Sequence, residues 1–134
     1  MEFVIETRSK RTKTFFERIV PKMIKELKLE RSRKTLMIKV TNQDLDDMDG
    51  ATAPLDIIDS YVVLIKPRSI KDMGITLAHE MVHVKQLAKG TLRQVGGVNY
   101  WNGKRYRKNH KYLNLPWEIE AFSKQELLFR RVIE

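Results

Sequence analysis

Residues 69 to 90 read SIKDMGITLAHEMVHVKQLAKG, and the fold turns on whether this stretch is a buried helix. Ser69 and Asp72 suit a helix start, and Gly90 suits the position just past a last turn. Between them Leu77, Ala78, Met81, Val82 and Val84 make the stretch apolar on nearly every side, which predicts a helix enclosed by the rest of the chain. His79, Glu80 and His83 interrupt that apolar surface. Such groups are costly to bury unless they share a partner.

Working outward, TKTFFERIVPKMIKELKLE places Phe16, Ile19, Val20, Met23, Ile24 and Leu27 at helical spacing, with Thr14 and Glu17 as a capping pair. Pro21 lies inside that pattern and predicts a kink or two shorter helices. TLMIKV alternates Leu36, Ile38 and Val40, as a strand with one buried face does. TNQDLDDMDGATAP reads as a polar loop; its aspartates miss the EF-hand order, because Met48 stands where an oxygen ligand belongs. SYVVLIK is β-branched and apolar on both faces, a strand covered on both sides or pressed under helices. As a sheet edge it would offer a peptide a pairing partner; as an internal strand it would not. Asn102-Gly103, between aromatic-rich flanks, marks a two-residue hairpin. LPWEIEAFSKQELLFRRVIE begins a closing helix at Pro116. The expectation is one α+β domain over residues 1–134, with a small sheet, the His-bearing helix, a hairpin and a C-terminal helix.

Composition narrows the function classes. No apolar run approaches the roughly 18–20 residues of a membrane span, and MEFVIETRSK lacks the basic-then-apolar order of a secretory signal. The absence of cysteine excludes disulfides, thiol catalysis and Cys-based zinc sites, and a reducing cytoplasm is the expected location. The net charge of +9 is uneven: the first third is crowded with Lys and Arg, KRYRKNHK repeats the bias at 104–111, and the middle is acidic. That balance favours anionic partners, nucleic acid first among them.

On a helix, residues four apart share a face, so His79 and His83 can direct two imidazoles at one point, with Glu80 one step round. Zinc accepts such nitrogen and oxygen ligands in tetrahedral geometry and keeps a position open for water. It lowers that water's pKa towards ~7, and a carboxylate beside it can accept the proton. Glu80 is the expected general base in the hydrolysis of a peptide bond, passing the proton on to the leaving amine. Two histidines leave the site short of a third protein ligand, for which His110, Glu118 and Glu120 are the candidates. In the closing helix Ala121, Phe122, Leu128, Phe129, Val132 and Ile133 define an apolar face. Glu118 falls at its centre, whereas Glu120 lies opposite, among Lys124 and Arg131, so periodicity favours Glu118. Tyr106, His110 and Tyr112 are candidates to stabilise a developing oxyanion. Trp101, Trp117 and Tyr100 read as packing residues.

HEMVH followed by a helix containing EIEA resembles the gluzincin branch of the zinc metallopeptidases, several of which carry HExxH and then Glu-x-x-Ala-Asp. The element order resembles a minimal zincin, and the chain looks like short metallopeptidases of phages and bacteria. The resemblance implies His79, His83 and Glu118 as zinc ligands, Glu80 as general base and Ala121 as the small residue of the second motif. One departure stands out. The Asp that often follows that alanine and orients a ligating histidine is Phe122 here, so support must come from a backbone carbonyl or another carboxylate such as Asp59. The same departure keeps open a thermolysin-like spacing, with Glu120 as ligand. A third histidine, His110, beside KRYRKNHKY also looks like the SprT-type proteases, some of which act on DNA-bound proteins.

Overall fold

The fold is α+β. A computed structural model of the chain describes residues 1–55, 59–107 and 114–134. A four-stranded sheet is built from β1 (Glu2–Glu6), β2 (Thr35–Val40), β3 (Gly50–Leu55) and β4 (Ser60–Ile65) in the order β1-β2-β4-β3. β1, β2 and β4 run parallel, and β3 pairs antiparallel on the outside of β4. β1 and β2 are joined through α1 (Lys10–Glu26), the crossover that parallel neighbours require.

Register decides which side chains meet the helices. Phe3 and Ile5 sit opposite Leu36 and Ile38, which sit opposite Tyr61 and Val63. Thr52 is the partner of Val63 and Gly50 of Ile65. Because side chains alternate along a strand, all these residues share one face, and Leu36, Ile38, Tyr61, Val63 and Ile65 are buried on it. Val4 and Met37, on the other face, are exposed, and Val62 and Leu64 are half-buried. SYVVLIK is therefore an internal strand, fully buried on one face and half-buried on the other among the described residues. The edge next to α2 (Ile70–Lys89) is β3, which lies in the stretch that reads as a polar loop. Its GATAPL alternates too weakly in hydropathy to announce a strand; pairing with β4 makes it one.

The helices follow their caps more than their apolar patterns. α1 starts four residues before Thr14, because Ser9 accepts a hydrogen bond from the Thr12 amide at 3.2 Å. It runs unbroken through Pro21, which lies on the exposed side. α2 is capped by Ser69 and ends at Gly90. As its composition requires, α2 is enclosed by the sheet on one side and by α3 (Pro116–Ile133) on the other, and Met73 through Val84 are buried except Ile75 and Thr76. α3 buries Ala121, Leu128, Phe129 and Val132, but Phe122 and Ile133, expected on that stripe, are exposed at its margin.

After α2 the chain forms a three-stranded meander, β5 (Leu92–Val95), β6 (Val98–Trp101) and β7 (Lys104–Tyr106), rather than a single hairpin. Gly96-Gly97 and Asn102-Gly103 make the turns with all four residues at positive φ, which two-residue hairpins demand. Trp101 and Tyr106 pack against Trp117 at the start of α3, with ring centroids 6.4 and 5.3 Å apart.

Candidate metal centre

Three polar side chains meet where α2 crosses the first turn of α3. Glu118 is 6% exposed, and its Oε1 lies 2.8 Å from His79 Nε2 and 3.1 Å from His83 Nε2. The two imidazoles stand edge to face, 4.9 Å between centroids. The helical offset of four residues places both rings on one side of α2, and the apolar stripe of α3 delivers Glu118 to them. Glu120 points elsewhere: its Oε1 accepts from Gln86 and its Oε2 pairs with Lys124 at 3.6 Å. His110 and Tyr112 lie outside the described residues, and Tyr106 is engaged by Trp117.

Each ring is held from behind by an amide. His83 Nδ1 is 2.7 Å from Gln86 Oε1, and His79 Nδ1 is 2.8 Å from Gln125 Oε1. Gln86 cannot be turned over, because its Nε2 donates both to the Trp117 carbonyl and to Glu120, each at 3.0 Å. An amide oxygen only accepts, so the Nδ1 of His83 carries a proton, and its Nε2 presents either a lone pair or a second proton to Glu118. These amides do the work expected of a carboxylate. Asp59 is not involved: it accepts from Lys34 at 2.6 Å. Phe122, in the position of the absent aspartate, sets its ring edge-on to His79, 4.5 Å away.

Two imidazole nitrogens and a carboxylate oxygen at these separations need positive charge between them. Without a metal, Glu118 favours a proton on His83. Burial raises its pKa, but the hydrogen bonds and charge of His79 and His83 outweigh that and hold it at about 2. Burial lowers the pKa of His83, and Glu118 and Glu80 overcome this to leave it raised. A divalent cation satisfies all three atoms at once, since metal bonds of about 2.0–2.1 Å at a tetrahedral angle separate ligand atoms by about 3.3 Å. The donor set of two nitrogens and one oxygen fits zinc.

Glu80, 5% exposed, completes a buried group with His79 and His83 whose ligand-type atoms lie within 4.8 Å of one another. It accepts a hydrogen bond from Thr52 Oγ1 at 2.7 Å. Burial raises its pKa, and the charge of His83, the Thr52 hydrogen bond and the charge of His79 offset only part of that rise. Strand β3 reaches Glu80 because Gly50 has no side chain: a Cβ there would lie 2.8 Å from Thr76 Cγ2 and 3.0 Å from Glu80 Oε2. Glu80 is thereby placed between two depressions. One, of about 350 Å³, opens towards His79, Phe122, Asp47 and Asp49. The other, of about 190 Å³, opens towards His83, Met48, Leu92 and Trp117.

Gln86, Gln125, Thr52 and Gly50 escaped the sequence reading. The glutamines had a signal: Gln86 is three residues beyond His83 and Gln125 seven beyond Glu118, each on its ligand's own face. Thr52 and Gly50 had none, since their role depends on strand pairing. The chain matches no family model, no curated protein and no solved structure.

Proposed function

We propose that the protein is a zinc metallopeptidase of gluzincin type, with His79, His83 and Glu118 holding the metal. One observation carries the reading: two imidazole nitrogens and a carboxylate oxygen converge in a buried pocket, with the Nδ1 of each ring already committed to an amide oxygen. Zinc bound there would act as a Lewis acid on a peptide carbonyl and lower the pKa of a coordinated water. Every other task falls to the chain. Glu80 takes a proton from the attacking water as its oxygen bonds to the carbonyl carbon, and gives that proton to the nitrogen as the C–N bond breaks. Thr52 fixes the Glu80 carboxylate by donating to its Oε1. Gln86 and Gln125 keep both rings in the tautomer whose Nε2 lone pair faces the metal. β3, with no second neighbour among the described residues, gives an extended peptide an edge to pair with beside Glu80. Glu118 lies against both histidines, whereas Glu120 is engaged by Gln86 and Lys124, which supports the Glu-x-x-Ala assignment over the thermolysin-like one. Among the described residues no helix is long and apolar enough to cross a membrane; a cysteine-free chain fits a cytoplasmic setting.

Replacement of Glu80 by Gln tests the assignment, since it keeps the shape and removes the base. Peptide hydrolysis should fall by at least about 100-fold, with zinc content unchanged. Full turnover by the variant would remove Glu80 from its role.

A further inference from the structure

We propose that the outward face of α1 is a docking surface for nucleic acid, separate from the metal centre. The chain's charge is segregated. Residues 7–34 carry eleven Lys or Arg against three Glu, a net +8 where the whole chain has +9. Ten of those eleven cations are exposed.

α1 arranges four of them in a line. Phe16, Ile19, Val20, Met23 and Ile24 turn one side of the helix into the core. Arg11, Arg18, Lys22 and Lys25 fall on the opposite side, within about 60° of one another at 3.6 residues per turn. At ~1.5 Å per residue the line is about 21 Å long, the span of about six nucleotides of one strand at ~3.4 Å each. The helix's own carboxylates do not neutralise it. Glu17 lies 4.0 Å from Lys13, and Glu26 pairs with Arg131 of α3 at 3.4 Å, while none of the four cations is in an ion pair among the described residues.

The shape and chemistry of the face select the partner. A depression of about 440 Å³ lies against the line, walled by Lys10, Arg11, Arg18 and Thr14, with the half-buried Phe15 as its apolar wall. The Arg18 guanidinium sits 5.3 Å from the centre of the Phe15 ring. Guanidinium forks and an aromatic wall suit phosphates and bases. A lipid surface would need large apolar side chains projecting from the same face; the exposed ones, including Val4, Met37, Val95 and Ile119, all belong to other elements. A regular row of cations suits a linear polyanion better than the scattered carboxylates of a folded acidic protein.

Anisotropy titrations of the full chain with labelled DNA of about 20 nucleotides, single-stranded and duplex, test this. Four phosphate contacts give a slope of log K against log salt of about −3.6 for duplex and about −2.8 for single strands. Arg11→Glu with Arg18→Glu should weaken binding by at least about 10-fold and flatten the slope by about two units or more. Lys89→Glu with Lys104→Glu, an equal change of net charge elsewhere, should leave affinity within about 3-fold. Thermal melts establish that both pairs fold, and Lys22→Ala with Lys25→Ala provides a milder second probe of the line. The proposal is overturned by no binding at about 50 mM salt, by equal weakening in the two charge-reversed proteins, or by anionic vesicles or polyglutamate binding as tightly as DNA.

Discussion

Replacing Gln86 with Leu removes the amide that fixes His83 and keeps the volume nearly constant. Three hydrogen bonds disappear: the one His83 Nδ1 donates at 2.7 Å, and the two that Gln86 donates to the Trp117 carbonyl and to Glu120. The first bears on the metal. Loss of such an outer partner lowers metal affinity by about 10–100-fold, or about 1.4–2.8 kcal/mol. The second bears on folding, because a buried carbonyl left without a donor costs about 1–3 kcal/mol. Glu120 recovers its share from water, being only half-buried. At about 3–5 °C per kcal/mol for a domain of this size, the metal-free protein should melt about 3–15 °C lower. Gln86→Glu separates the two effects. Its carboxylate accepts from His83 at least as well as the amide does, yet it turns acceptors towards the Trp117 carbonyl and Glu120. Zinc affinity, read by competition with a chelating indicator, should therefore rank Glu variant at or above the natural protein and Leu variant below both. Both variants should melt early without metal. A Leu variant that binds zinc as tightly as the natural protein refutes the claim that Gln86 orients the ring.

Three further outcomes follow from the same geometry. Thr52→Val removes a hydrogen bond that lowers the Glu80 pKa, so that pKa should climb further and the acid limb of the pH–rate profile should move to higher pH; an unmoved limb would separate Thr52 from the base. Gly50→Ala should push β3 away from α2, lowering peptide hydrolysis by about 10–100-fold and stability by about 1–3 kcal/mol while zinc content stays constant; unchanged kinetics would show the close approach to be dispensable. The metal-free protein should be most stable near pH 4.5, measured by denaturant melts, because Glu80, with its pKa raised above 4.5, gives stability that is full below 4.5 and lost as pH rises through the raised value. His83, with its pKa raised above 6.5, gives stability that is full below 6.5 and lost as pH rises through the raised value. Glu118, lowered from 4.5 to about 2, gives stability that is full above 4.5 and lost as pH falls through about 2. Zinc would replace the second proton of His83 and should flatten the alkaline decline; an identical decline with and without zinc would place the metal elsewhere.

The site was more legible than the sheet. Helical faces repeat every 3.6 residues, so the convergence of His79, His83 and Glu118 could be read from two separate stretches, and the choice of Glu118 over Glu120 followed from one apolar stripe. Strands announce themselves only where one face is apolar and long enough. β2 and β4 did so. EFVIE of β1 is short, and GATAPL of β3 is made by its neighbour, so both went unseen, as did the close approach of Gly50 and Thr52 to Glu80 that follows from pairing register. The sequence leaves a backbone carbonyl or a carboxylate such as Asp59 to orient a histidine; the partner of Asp59 is Lys34, and neutral amides serve the rings instead. Pro21 predicts a kink or two shorter helices; α1 is one continuous helix with Pro21 on its exposed side.

X-ray absorption at the zinc edge of the loaded protein reads the ligands of the metal. Ligation by His79, His83 and Glu118 should give a shell of nitrogen and oxygen atoms at about 2.0–2.2 Å, with the outer scattering of two imidazoles falling to one in His83→Ala, and an oxygen lost in Glu118→Ala but kept in Glu120→Ala. A spectrum without imidazole scattering, or one indifferent to Glu118→Ala, would contradict it.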